Sequence, residues 1–283
     1  IVETQAPSVT SITFADTTLL EGETSLVTIV FSEAIASFAN VDLTIPNGAM
    51  SNVADGGDAI TWTSTFTPTA EVSDTSNVVV IANSYTDTLL NTGTACTSAN
   101  FIIDGVDPVI STIAMSDTSL LVGETAVLTI VFSEAVAAFT NDDLTIVLGT
   151  MTDVATSDSI TWTSTYTPTA DTEDATNVLT IGTGYTDTIG NAGAAGTSAN
   201  YVVDTLAPTC TITFADTTLL EGETSGVTIV FSEAVASFAN ADLTIPNGAM
   251  TDVASSDDIT WTSTFTPTAS TQDAVNVVSI ATS

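Results

Sequence analysis

The stretch from Ile60 to Thr67, ITWTSTFT, places an apolar or aromatic residue at Ile60, Trp62 and Phe66 and a threonine at each alternate position, with Ser64 the one polar residue on the apolar phase. A period of two is the signature of a half-buried strand, so Ile60, Trp62 and Phe66 are expected to face a core and the threonines to face solvent. The same pattern returns at Ile160, Trp162 and Tyr166, and again at Ile259, Trp261 and Phe265. Val27, Ile29 and Phe31 form the inward face of a second strand, and the run from Asn77 to Ile81 reads as a third. Asn47-Gly48 and Asn247-Gly248 are hairpin turn signals. Pro68, Pro168 and Pro267 close the tryptophan strand where a missing N–H is tolerated. The pattern predicts about seven strands per unit and an all-β fold. Its one helical element is a short turn over Ser32 to Phe38.

The units repeat. Pro7, Pro108 and Pro208 mark a period of 101 and then 100 residues, within the recurring linkers IVETQAP, IIDGVDP and VVDTLAP. Ile12–Met50 matches Ile212–Met250 with three differences, at positions 26, 35 and 41. The middle copy diverges further but keeps VFSEAV, NDDLTI and ITWTSTYTPTA in frame. Each unit has the size of a small sandwich domain. The reading divides the chain into a linker or end of a preceding repeat at 1–7, a first repeat at 8–104, a second at 105–204, and a third, incomplete, at 205–283. The third lacks a counterpart of the segment from Tyr185 to Asp204. The chain starts at Ile1 without a signal peptide and is read as a processed product or an excised fragment.

Composition narrows the chemistry. The 283 residues include no lysine, arginine or histidine, against 34 aspartates and glutamates, a formal net charge of −34. Imidazole bases, Schiff bases and guanidinium forks are therefore absent. No side-chain salt bridge can form. Nucleic acid is excluded as a partner, because its affinity rests on cationic side chains, and an anionic membrane surface would repel the chain. No apolar stretch is long enough to insert in a bilayer. The hydrophobic share of 44% is ample for folded cores, so this is not a disordered acidic tail. Each carboxylate must be solvated, hydrogen-bonded, protonated or bound to an external cation. Cys96 and Cys210 fall at different points of the repeat, so no disulfide framework recurs. They are either idle thiols or a bond between subunits. No N-x-S/T sequon occurs. The surface threonines leave O-linked sugars open.

The string from Asp16 through Leu19, Gly22-Glu23-Thr24 and Thr28-Ile-Val-Phe-Ser-Glu-Ala, followed by DLTI, WTSTFTPT and YTDT with Asn91, resembles the bacterial immunoglobulin-like tandem repeats of large secreted adhesins and biofilm-associated surface proteins. The resemblance covers nearly the whole chain in all three copies. It implies tandem immunoglobulin-like β-sandwiches, an extracellular or cell-surface, secreted location, and an extension role, with ligand binding carried by other domains. In such a fold the last strand of one unit ends near the loops after the second and sixth strands of the next. That would gather Asp104 and Asp107 with Glu134, Asp187 and Asn191. The preceding junction would gather Glu3, Glu33, Asp87 and Asn91, and the following one Asp204 and Glu233. Oxygen ligands from several loops suit Ca²⁺, which takes six to eight of them. The alternative is that Asp187 and Asn191 merely form a turn and Asp104 caps a strand end. No EF-hand loop or glycine-rich calcium nonapeptide is present.

Other candidates have bland readings. Glu21 and Glu23 around Gly22, repeated at Glu221 and Glu223, read as an exposed turn rather than a metal site. Trp62, Trp162 and Trp261 read as core anchors rather than a sugar platform. Paired carboxylates serve glycosidases, but a repeated module without a pocket motif is not read as an enzyme. The expected role is a structural segment of a bacterial surface protein, an adhesin stalk or a self-assembling filament or sheath, stiffened by Ca²⁺ into a protease-resistant rod. Its expected partners are neighbouring copies of the same protein, with Ile1 to Glu3 adding a strand to another subunit's open sandwich. The alternatives are a surface-layer subunit and a carbohydrate-binding module, for which Phe38, Phe139 and Phe238 are the candidate aromatics.

Overall fold

The computed structural model describes residues 4–280 and shows an all-β chain. In the first repeat one layer is the antiparallel sheet Val9–Phe14, Ser25–Phe31, Thr61–Pro68, Gly48–Met50, in that order. The expected alternation is realised here: Val27, Ile29 and Phe31 are buried and pair along the tryptophan strand, with Ile29 opposite Trp62. The facing layer is built of short pieces. Phe101–Asp104 runs parallel to Thr18–Leu20 and antiparallel to Ser73–Asn77. Val80–Ile81 pairs with both Leu43–Thr44 and Cys96–Thr97, and Ile35–Ser37 pairs with Thr86–Asp87. The second repeat repeats this arrangement strand for strand.

Thirteen strand segments occupy the first repeat, more than the seven expected. Irregular register breaks some pairings, as between Val9 and Ser11 and between Phe101 and Ile103. The helical turn also differs from expectation. Ser32–Phe38 forms a bend and the strand Ile35–Ser37, and the helical turn is a 3-10 element at Asn40–Asp42, repeated at Asn141–Asp143 and Asn240–Asp242. Its signal is Asp42, whose carboxylate accepts the Ala39 N–H at 2.9 Å. Asn47-Gly48 is not a hairpin. It carries the chain from one layer to the other, since Leu43–Thr44 and Gly48–Met50 belong to different sheets. Asn47 takes the left-handed φ of 49°, and a Cβ at Gly48 would lie 2.5 Å from the Phe66 ring.

The layers close over aromatic cores. Phe38 packs edge-on against Trp62 at 5.6 Å and Phe31 at 5.1 Å, and Phe139 repeats this with Trp162 and Phe132. Tyr85 is fully buried and its hydroxyl donates to the Thr94 carbonyl at 2.8 Å and to that of Pro7 at 3.3 Å, tying the incoming linker to the core. Cys96 is half-buried and Cys210 exposed, both free. The chain forms two compact units, Ile1–Thr205, which holds the first two repeats, and Leu206–Ser283. In the second unit the first layer is again present, and among the described residues the facing layer shows Leu243–Thr244 paired with Ser279–Ile280.

Candidate metal centre

Within the first unit, the end of one repeat meets two loops of the next. Asp104 is the last residue of the strand Phe101–Asp104 and is 8% exposed. Glu134 sits in the bend that follows Ala126–Phe132, and Asp187 ends the strand Thr186–Asp187, held opposite Val136. One carboxylate oxygen from each of Asp104, Glu134 and Asp187 lies within 4.8 Å of the others. Ligands of one Ca²⁺ bind at about 2.3–2.6 Å, so two of them stand no more than roughly 5 Å apart. The three oxygens meet that limit.

Each carboxylate has its own surroundings. One oxygen of Asp187 accepts the N–H groups of Ile189 at 2.8 Å, Gly190 at 2.5 Å and Asn191 at 3.0 Å, and the other accepts the Asn191 amide at 2.8 Å. Burial pushes the Asp187 pKa up, but these hydrogen bonds outweigh it and hold the carboxyl below the ordinary aspartate value. Glu134 is shifted the other way. Burial raises it first, and the charges of Asp104, Asp187 and Asp107 raise it further. Asp104 Oδ1 is buried and has no hydrogen-bond partner. An unsatisfied buried carboxylate oxygen is costly. No lysine, arginine or histidine exists to neutralise it. The donor set is all oxygen, several carboxylates converge, and one buried oxygen lacks a partner: the site fits a hard divalent cation.

The remaining residues expected at junctions fall as follows. Asp107 is exposed and acts on Glu134 through its charge without joining the three. Asn191 has both ends of its amide engaged by protein, which makes it a clamp. Its Nδ2 donates to the Asp104 backbone carbonyl at 2.9 Å, and its Oδ1 accepts the Glu21 N–H at 3.3 Å. In the first repeat Asp87 and Asn91 reproduce the loop, with the Asn91 amide donating to Asp87 at 2.7 Å, and Glu33 is half-buried beside Ile35, whose strand pairs with Asp87. Glu3 lies outside the described residues. Asp204 ends the strand Tyr201–Asp204 opposite Glu173 in the first unit, and Glu233 follows Ser225–Phe231 in the second. The part played by Glu21 and by Leu20, whose side chain lies 3.4 Å from where a Gly190 Cβ would stand, was not legible in the sequence. The only available signal was Gly190 itself, at φ 129°, where the first repeat has Leu90.

The other candidates resolve simply. Glu23 accepts the Leu20 N–H at 3.0 Å and so closes its own turn. Phe38 and Phe139, the aromatics expected outside the alternating strand, are buried core rings, and Phe238 is half-buried and packs on Phe231 and Trp261. No helix among the described residues is long and apolar enough to cross a membrane.

A family model described as bacterial Ig-like domain matches residues 3–103, 104–203 and 204–283. Domains of this family are typical of bacterial surface proteins, and the family is typically non-enzymatic. No curated protein matches the chain. Among solved structures, a marsupial T cell receptor aligns over 96% of this chain and 99% of its own, at 9% identity and a TM-score of 0.35, too loose a likeness to add to the family match. Three consecutive matches spanning 3–283 leave one conclusion: the chain belongs to the bacterial Ig-like domain family, as a tandem array of three repeats.

Proposed function

We propose that this chain is a structural segment of a secreted bacterial surface protein, an extension module of adhesin type whose repeats are fixed to one another by Ca²⁺. The observation that carries this reading is the convergence of Asp104, Glu134 and Asp187, with a buried, partnerless oxygen on Asp104, at the place where two repeats meet. Asp104 belongs to one repeat and the other two to the next, so a cation held by all three ties the repeats together. Ca²⁺ suits the site better than Mg²⁺, because it accepts irregular oxygen geometry and water as further ligands. When bound, it supplies the positive charge that this composition denies. The hydrogen bonds on Asp187 keep one ligand ionised, and Asn191 holds the loop against the Asp104 carbonyl.

The test is thermal unfolding of the whole chain in EDTA and then in millimolar CaCl₂. Ligand binding to the native state stabilises it by about RT ln(1 + [L]/Kd), roughly 3 kcal/mol at a hundredfold excess over Kd. A Ca²⁺-dependent rise in Tm that disappears in Glu134→Gln is expected. Equal Tm values in EDTA and Ca²⁺ would refute the reading.

A further inference from the structure

The two repeats of the first unit also meet through groups that carry no charge. On the first repeat, Leu20 ends the strand Thr18–Leu20 and lies opposite Asp104 in the parallel pair with Phe101–Asp104. The side-chain amide of Asn191, from the second repeat, extends that ladder by one rung. Its Oδ1 accepts the Glu21 N–H at 3.3 Å and its Nδ2 donates to the Asp104 carbonyl at 2.9 Å. A primary amide offers the same donor and acceptor as a peptide group, so it can stand in for one at the end of a strand pair. Asn191 is 3% exposed, which shields both bonds from water.

The loop that presents Asn191 owes its shape to Gly190. This residue stands at φ 129°, where L side chains are strained, and its N–H turns onto the Asp187 carboxylate at 2.5 Å. A Cβ placed there would already lie 3.4 Å from Leu20 Cδ1, so a larger side chain competes with Leu20 for space. The first repeat builds its own loop on the same frame. The Asp87 N–H donates to the Asn91 carbonyl at 3.1 Å, as the Asp187 N–H does to that of Asn191 at 3.0 Å. At the matching position, however, Leu90 takes φ 69° and donates its N–H to the Asp87 backbone carbonyl at 3.2 Å. Two loops with the same aspartate and asparagine thus differ in shape at this one residue.

We propose that the Leu20–Glu21 turn and the Gly190–Asn191 loop form a latch between the repeats that closes without a cation, and that Gly190 is its specificity-determining residue. Gly190 gives Leu20 its seat and sets the loop so that the Asn191 amide reaches Glu21 and Asp104. A loop of the same frame with leucine at this position, as in the first repeat, does not accept the turn. The latch is independent of the cation reading, because the groups that close it are an amide, two backbone groups and an apolar contact.

The experiment is amide hydrogen exchange of the full chain in EDTA, comparing the parent with Gly190→Leu and Leu20→Ala. Three amides are read: Glu21 for the latch, Gly193, whose N–H donates to the Tyr185 carbonyl at 2.9 Å, for the fold of the loop region, and Ile29 for the sheet. The expected result is a protected Glu21 in the parent that exchanges at least tenfold faster in Gly190→Leu and several-fold faster in Leu20→Ala, with Gly193 and Ile29 unchanged. A Glu21 amide that is unprotected in EDTA and slows on adding CaCl₂ would overturn the inference, since the contact would then need the cation. Unchanged Glu21 exchange in Gly190→Leu would overturn it as well. If Gly193 also speeds up in that variant, the loop has unfolded and Leu20→Ala decides, because it acts from the other repeat. Unchanged Glu21 exchange there would sink the latch. Protection in EDTA in a chain whose Tm ignores CaCl₂ would refute the cation reading and leave the latch standing.

Discussion

Position 148 shows how a single residue is felt through its neighbours. Asn47 and Asn247 stand at left-handed φ values of 49° and 53°, where asparagine is at ease, and each amide donates to a following asparagine. The second repeat has Leu148 there, at φ 52°, and Asn177 Oδ1 is left buried without a partner. Leu148→Asn should relieve both the backbone strain and the orphaned oxygen, stabilising the first unit by about 1–2 kcal/mol in chemical denaturation. An unchanged or lowered midpoint would count against this account. The titration of the junction is also a residue-scale matter. Glu134 is raised in the folded state, so in chelator its contribution to stability falls as pH rises from the ordinary glutamate value through its folded pKa. Asp187 is lowered, so its contribution is present above the ordinary aspartate value and is lost as pH falls through its folded pKa. Ca²⁺ competes with the proton on Glu134, so the Ca²⁺-induced rise in Tm should grow between about pH 4 and pH 7. A rise that is constant over that range would show that Glu134 is not a ligand.

At the scale of elements, the sheet strands were legible and the facing layer was not. Ser25–Phe31 and Thr61–Pro68 declare themselves because one face is buried and the other wet, so the period of two is written in the residues. The facing layer is cut into pieces of two to five residues, too short to carry a period. Asn47-Gly48 was misread because the residue types that allow a left-handed turn are the same whether the chain folds back in one sheet or crosses to another. The site was half legible. The immunoglobulin-like fold implied by the resemblance led to Asp104, Glu134, Asp187 and Asn191 being expected at one junction; three carboxylates there have oxygens within 4.8 Å of one another, while the Asn191 amide is engaged by the Asp104 carbonyl and the Glu21 N–H. Asn191→Ala removes the bonds to Asp104 and Glu21 and the support of Asp187. It should cost about 1–3 kcal/mol and speed amide exchange at Glu21, with little effect on the exchange of Trp62. Equal slowing or speeding at both amides would mean that the clamp is not local.

At the scale of the molecule, the composition is the governing constraint. A chain of −34 with no cationic side chain has no internal counter-charge, so its carboxylates must be managed one at a time. Most are exposed or turned onto backbone N–H groups, as Asp58 onto Ile60 and Thr61 and Glu23 onto Leu20. Asp104 differs: its Oδ1 is buried without a hydrogen-bond partner, and the residue converges with Glu134 and Asp187. On the reading proposed above, the junction between the first two repeats would answer to the cation outside. The most direct measurement is isothermal titration of the metal-stripped chain with CaCl₂, beside the Asp104→Asn variant. Saturable binding in the parent chain that is weakened at least tenfold in Asp104→Asn is the predicted result. Identical isotherms for the two, or no heat from either, would contradict a metal-held junction.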